Sequence, residues 1–213
     1  MMQFMKRRAL IVVGATMLAA VTAAAQQERA PADPRTVPEL KPEFDRAAKL
    51  GLPAHILVSK AREGYLKQAS PKVIRDALHN LADRMVRARS ALKPVQSDAE
   101  LEQGALALQQ DIPEGVLRNL RQSQKTRSVE IPLSVLTDLV SKGVPRKEAV
   151  ADVSAMLQRN VGEGRLITFA SQVQNDIAGG IAPTVALELS FKGVLSLPSN
   201  ALPGAAAAAP IKR

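Results

Sequence analysis

Proton-transfer chemistry has few candidates in this chain. The 213 residues contain two histidines, His55 and His79, and no cysteine. An imidazole beside a carboxylate can act as a general acid or base, and Glu63, Asp76 and Asp83 are the nearby carboxylates in sequence. Both histidines fall in segments with helical periodicity. On a wheel turning about 100° per residue, His79 points away from the Ile74, Leu78 and Leu81 stripe, and His55 flanks the Leu57, Val58 and Ala61 face. They read as surface residues rather than a catalytic pair. There is no HExxH motif, so neither a metal nor any other cofactor is expected. The segment Gly162 to Arg165 (GEGR) lacks the third glycine of a dinucleotide loop, and neither a GxxxxGK[ST] loop nor a GxSxG elbow occurs.

Attraction of anions is better represented. From Lys60 to Lys93 there are nine basic and three acidic residues. Residues 94–114 then carry five acids and no base, and residues 115–127 carry four bases. A face for a polyanion would draw on Arg84, Arg87, Arg89, Lys93, Arg118 and Arg121. The competing reading is internal neutralisation, with the acidic segment lying between two basic ones and Glu63–Lys67 and Asp83–Arg87 pairing at helical i,i+4 spacing. Phe44, Tyr65, Phe169 and Phe191 are the only aromatics beyond residue 25, which argues against nucleic acid held by base stacking.

The elements that must carry these groups are helical. Ser70-Pro71 opens a segment in which Ile74, Leu78, Leu81, Met85 and Leu92 share one face. Ser97 with Glu100 has the spacing of a capping box before Leu101, Ala105 and Leu108. Val150, Val153 and Leu157 follow Pro145, and Leu166, Phe169, Val173 and Ile177 run up to Gly179-Gly180. Gly64, within KAREGYLK, reads as a point of close helix packing. The stretch from Val185 to Phe191 alternates like a strand, but Pro183 in front of it favours a helix.

Five prolines, at 53, 113, 132, 145 and 183, each follow an aliphatic residue or alanine and lead into further apolar sequence. Gly51 and Gly143 precede two of them, where a left-handed residue would end a helix. The Gly-aliphatic-Pro triplet is therefore expected to be a corner between helices rather than a repeated binding motif. The proline spacings are irregular, so the expectation is an irregular stack of short amphipathic helices, not a fixed-period solenoid.

The ends differ from the middle. Lys6, Arg7 and Arg8, the uncharged run from Ala9 to Val21 and the Ala23-x-Ala25 end have the layout of a secretory signal peptide. The run is too short to span a bilayer, which takes about 20 residues. Cleavage after residue 25 would lower the formal net charge from +9 to +6 by removing three bases. Residues 26–43 read as a proline-rich disordered linker, 44–197 as one helical domain, and 198–213 as an Ala/Pro-rich disordered tail. The expected protein is all-α, periplasmic or secreted, without a membrane span after cleavage. Its expected role is a non-enzymatic interaction or scaffold protein of the cell envelope. The alternative is a module that binds a polyanionic envelope polymer, a phospholipid surface or nucleic acid through its basic helices.

Overall fold

Proline and serine start many of the helices, and left-handed residues end most of them. A computed structural model describes residues 33–196. The expected signal peptide at 1–25 and the expected tail at 198–213 lie outside the described residues. Among those described, the chain forms one 3-10 turn, Pro34–Thr36, and nine α-helices with no strand. The helices are α1 Lys41–Lys49, α2 Ala54–Leu66, α3 Pro71–Ala91, α4 Asp98–Gln109 and α5 Glu114–Ser123. They continue with α6 Glu130–Ser141, α7 Arg146–Gln158, α8 Glu163–Ala178 and α9 Pro183–Ser196.

Six helices end in the same way. Gly51, Gln68, Asp111, Gly143, Asn160 and Gly180 all have positive φ, between 55° and 92°. At each, the residue that follows donates its N–H to the carbonyl five residues back: Leu52 to Ala47, Ala69 to Gly64, Ile112 to Ala107, Val144 to Leu139, Val161 to Met156 and Ile181 to Asp176. The left-handed residue itself donates to the carbonyl three back, as Gly143 does to Val140. This is the Schellman closure, which satisfies carbonyls that the helix end would otherwise leave open. Glycine meets no Cβ clash at such a φ. Three of the six positions nevertheless hold Gln, Asp or Asn, so composition alone does not mark them.

The closures also set a register. Six residues after each left-handed residue stands a buried apolar side chain: Leu57, Ile74, Leu117, Ala149, Leu166 and Ala186. Ten residues after stand Ala61, Leu78, Arg121, Val153, Ala170 and Ser190, all buried. The step of four keeps both positions on one helix face. Arg121 is the only charged residue in either set.

Packing follows two rows. Among the odd-numbered helices α1 touches α3, α3 touches α5, α5 touches α7 and α7 touches α9. Among the even-numbered ones α4 touches α6 and α6 touches α8. The rows are joined by α2 with α3, α3 with α4, α6 with α7 and α8 with α9. Two of these joints rely on glycine. A Cβ on Gly64 would lie 2.7 Å from Ile74 Cγ1, and one on Gly104 would lie 2.7 Å from Leu92 Cδ1 and 3.0 Å from the Ala88 Cβ. Helices α2 and α4 thus approach α3 more closely than a side chain allows.

One expectation changes here and one ambiguity is settled as Pro183 suggested. Residues 33–43 are not a disordered stretch. Asp33 caps the 3-10 turn, Pro34 is buried, and Leu40 with Phe44 and Ala47 forms a buried i, i+4, i+7 stripe that brings α1 onto the body. The four prolines masked this stripe because proline suits an extended linker and a helix's first turn equally well. At the other end, the residues from Val185 to Phe191 are helical. Ala186, Leu187 and Ser190 face inward while Val185 and Leu189 are exposed.

Candidate functional site

The six basic side chains expected to gather on one face divide into three groups. Arg84 and Arg87 lie one turn apart on α3. Arg87 Nε donates to Glu114 Oε1 at 2.8 Å, and Arg118 on α5 approaches the other oxygen of the same carboxylate at 3.5 Å. Arg87, then the other nearby charges, hold the Glu114 carboxyl below its ordinary range, although burial works against them. Arg84 is half-buried beside them. Its Nη2 donates to Gln109 Oε1 at 3.1 Å, and its Nε is buried without a hydrogen-bond partner. Burial, followed by the charge of Arg87, lowers the Arg84 guanidinium below its usual value. Two of the expected residues, Arg87 and Arg118, therefore meet around a single acid, with Arg84 beside Arg87.

The second group faces elsewhere. Arg89 Nη1 donates to the carbonyls of Leu50 at 2.8 Å and Gly51 at 3.3 Å, closing the C-terminus of α1. Lys93, just past the end of α3, is exposed.

Arg121 does not reach the surface at all. The residue is 4% exposed and pairs with Glu100, which is 0% exposed. Nη2 donates to Glu100 Oε1, and Nη1 donates to the carbonyls of Gln124 at 3.0 Å and Arg127 at 2.9 Å. The other Glu100 oxygen accepts from Ser128 Oγ at 3.1 Å and from the Val129 N–H at 3.3 Å. One ion pair thus ties α4, the end of α5, the connection 124–129 and the start of α6. The capping box at Ser97 is only half formed. Ser97 Oγ accepts from the Glu100 N–H at 3.0 Å, but the Glu100 side chain has turned inward to Arg121. Arg121 is withdrawn as an anion ligand because its charge is neutralised inside the fold. Arg121 stands ten residues after Asp111, on the face that every other closure buries, but only the structure shows that Asp111 is such a closure.

A second cluster lies between α1 and α3. Arg46 Nη2 donates to Asp83 Oδ1 at 2.5 Å, and His79 Nδ1 is 3.1 Å from Glu43 Oε2. His79 Nε2 is 3.5 Å from Asp83 Oδ2, so the histidine stands between two carboxylates. Its side chain is 49% exposed. Asp83 therefore does not pair with Arg87 as its spacing suggested, because Arg46 and Glu114 take the two partners from other helices. The Glu63–Lys67 pair does form, and Lys60 joins it at 2.7 Å. Together the two lysines pull the Glu63 carboxyl down to about 2. His55 is exposed, and its nearest carboxylate is Asp98 at 3.9 Å rather than any of the three expected.

The described residues also form two concavities. A groove of about 460 Å³ runs between α8 and α9, with Phe169, Leu189 and Val194 beside Gln172, Asp176 and Ser190. A small cavity lies near Ser128, Asn160 and Glu163. Among the described residues, no group of three or more His, Cys, Asp or Glu side chains could hold a metal ion, and no helix is long and apolar enough to cross a membrane. No protein-family model, curated protein or solved structure matches the chain.

Proposed function

We propose that this is an exported, non-enzymatic scaffold of the bacterial cell envelope, whose stacked helix pairs present surfaces to other envelope proteins. One observation carries the reading: most of the charges expected to meet an external anion are engaged in joining helices. Arg121 is buried on Glu100, Arg89 closes α1, and Arg87 and Arg118 share Glu114. A basic surface of that kind leaves a weak, screened field rather than a built anion site. The two rows of helices suit a stack of helix pairs, in which each pair buries its face against the next and the outer faces are free to vary. In this reading the Gly-aliphatic-Pro triplets are architectural, since they close one helix and start the next. The basic head, apolar run and Ala-x-Ala end in residues 1–25 support export to the periplasm or beyond.

The gathering of Arg84, Arg87 and Arg118 favours a second reading, an anion-binding module for an envelope polymer or phospholipid. Heparin affinity chromatography of the exported protein separates the two. The scaffold reading expects elution near physiological ionic strength, where screening acts over roughly 8 Å. Retention well above that salt, lost on combined Arg84→Ala, Arg87→Ala and Arg118→Ala replacement, would make anion binding the function.

A further inference from the structure

We propose that the corner between α2 and α3 is a docking tip for an anionic lipid surface. Leu66, the last residue of α2, is 80% exposed, and Val73, in the first turn of α3, is 57% exposed. These are the two most exposed large apolar side chains among the described residues, and they flank the same reversal at Gln68. Between residues 60 and 76 the sequence holds five bases and two acids. Lys67 and Lys72 are exposed on either side of the turn. Lys67 shares Glu63 with Lys60, so that one carboxylate faces two lysines.

A second exposed apolar region shows why charge decides the occupant. On α9, Val185 and Leu189 are about half exposed, but residues 176–192 carry two acids and one base. An apolar helix face beside a groove suits another protein. An apolar corner with a basic rim suits a bilayer, because aliphatic tips enter the acyl boundary while lysine ammoniums stay among anionic headgroups. Neither of the two concavities described above includes residues of the α2–α3 corner. This tip uses none of Arg84, Arg87, Arg89 or Arg118, so it stands or falls separately from the function proposed above.

Vesicle co-sedimentation of the purified exported protein tests the tip. It should bind vesicles of phosphatidylglycerol and phosphatidylcholine at low ionic strength and weaken as salt rises, while pure phosphatidylcholine retains little. Replacing both apolar tips, Leu66→Ser with Val73→Ser, leaves every charge in place and should lower partitioning by about tenfold or more. The matched control, Val185→Ser with Leu189→Ser, should bind as wild type, with equal melting temperatures showing that all three proteins are folded. Wild-type binding by the Leu66→Ser/Val73→Ser protein would overturn the proposal, and so would equal loss in the α9 control. Equal retention on neutral vesicles, or a partner protein that competes away at the tip without any lipid binding, would also overturn it.

Discussion

The Glu100–Arg121 pair and the Glu43–Arg46–His79–Asp83 cluster join helices with the same kinds of groups, yet one is dry and the other wet. Glu100 and Arg121 have left water almost completely, and the carboxylate and two of the guanidinium nitrogens are compensated by hydrogen bonds from side chains and backbone. In the α1–α3 cluster Arg46 is 35% and Asp83 47% exposed, so water already solvates both. Taking charges out of water costs several kcal/mol per ion, which only a partner and a full set of hydrogen bonds offsets. The buried pair is therefore a point where loss of one member is severe. The exposed cluster is a tether that can be cut cheaply.

The largest effect should come from breaking the dry pair on one side. Glu100→Ala leaves the Arg121 charge buried and frees Ser128 Oγ and the Val129 N–H, so denaturant unfolding should show a loss of about 3–5 kcal/mol. Replacing both members, Glu100→Leu with Arg121→Met, should recover most of that loss, because no uncompensated charge remains. If the double variant were as unstable as the single one, the pair would be contributing attraction beyond its own desolvation.

A smaller effect is expected at the wet cluster. Asp83→Ala removes the Arg46 partner on a half-exposed surface, and the same unfolding measurement should lose no more than about 1 kcal/mol. A loss comparable to that of Glu100→Ala would mean that α1 docking depends on this contact, and the contrast between the clusters would disappear.

The smallest effect is in pH. Arg46 holds the Asp83 carboxyl below its ordinary value, Arg87 does the same to Glu114, and Lys60 and Lys67 bring Glu63 to about 2. Each group has a depressed folded value, so its contribution is present above the ordinary carboxylate range and is lost as pH falls through that folded value. For Glu63 the window runs from its ordinary value of 4.5 down to about 2. Asp138 and Asp152 act in the opposite sense. Burial raises both, so their contribution favours the fold at low pH and is lost as pH rises through the raised value. Thermal melts from pH 7 to pH 3 should therefore fall gently, and added salt should flatten the slope in wild type more than in Asp83→Asn.

Much of the helical pattern was legible from local spacing. The Ile74, Leu78, Leu81, Met85 and Leu92 stripe is buried as its period requires, and Ser70 and Ser97 cap the helices they precede. The Leu40, Phe44 and Ala47 stripe was equally present, but proline-rich composition hid it. The candidate anion face was only partly legible. Arg87 and Arg118 do meet, with Arg84 beside Arg87, whereas Arg89 turns to a helix end and Arg121 to the interior.

What the chain determines by itself is which side of each helix is apolar and where a helix can start or stop, because 3.6-residue periodicity, caps and proline act within a few residues. Only the tertiary structure decided which charge meets which. Arg121 finds Glu100 across 21 positions and Arg46 finds Asp83 across 37, in place of the i,i+4 partner that spacing offered to Asp83. A side chain's face is set locally, but the group opposite it, and whether water remains between them, is set by how the two rows of helices pack.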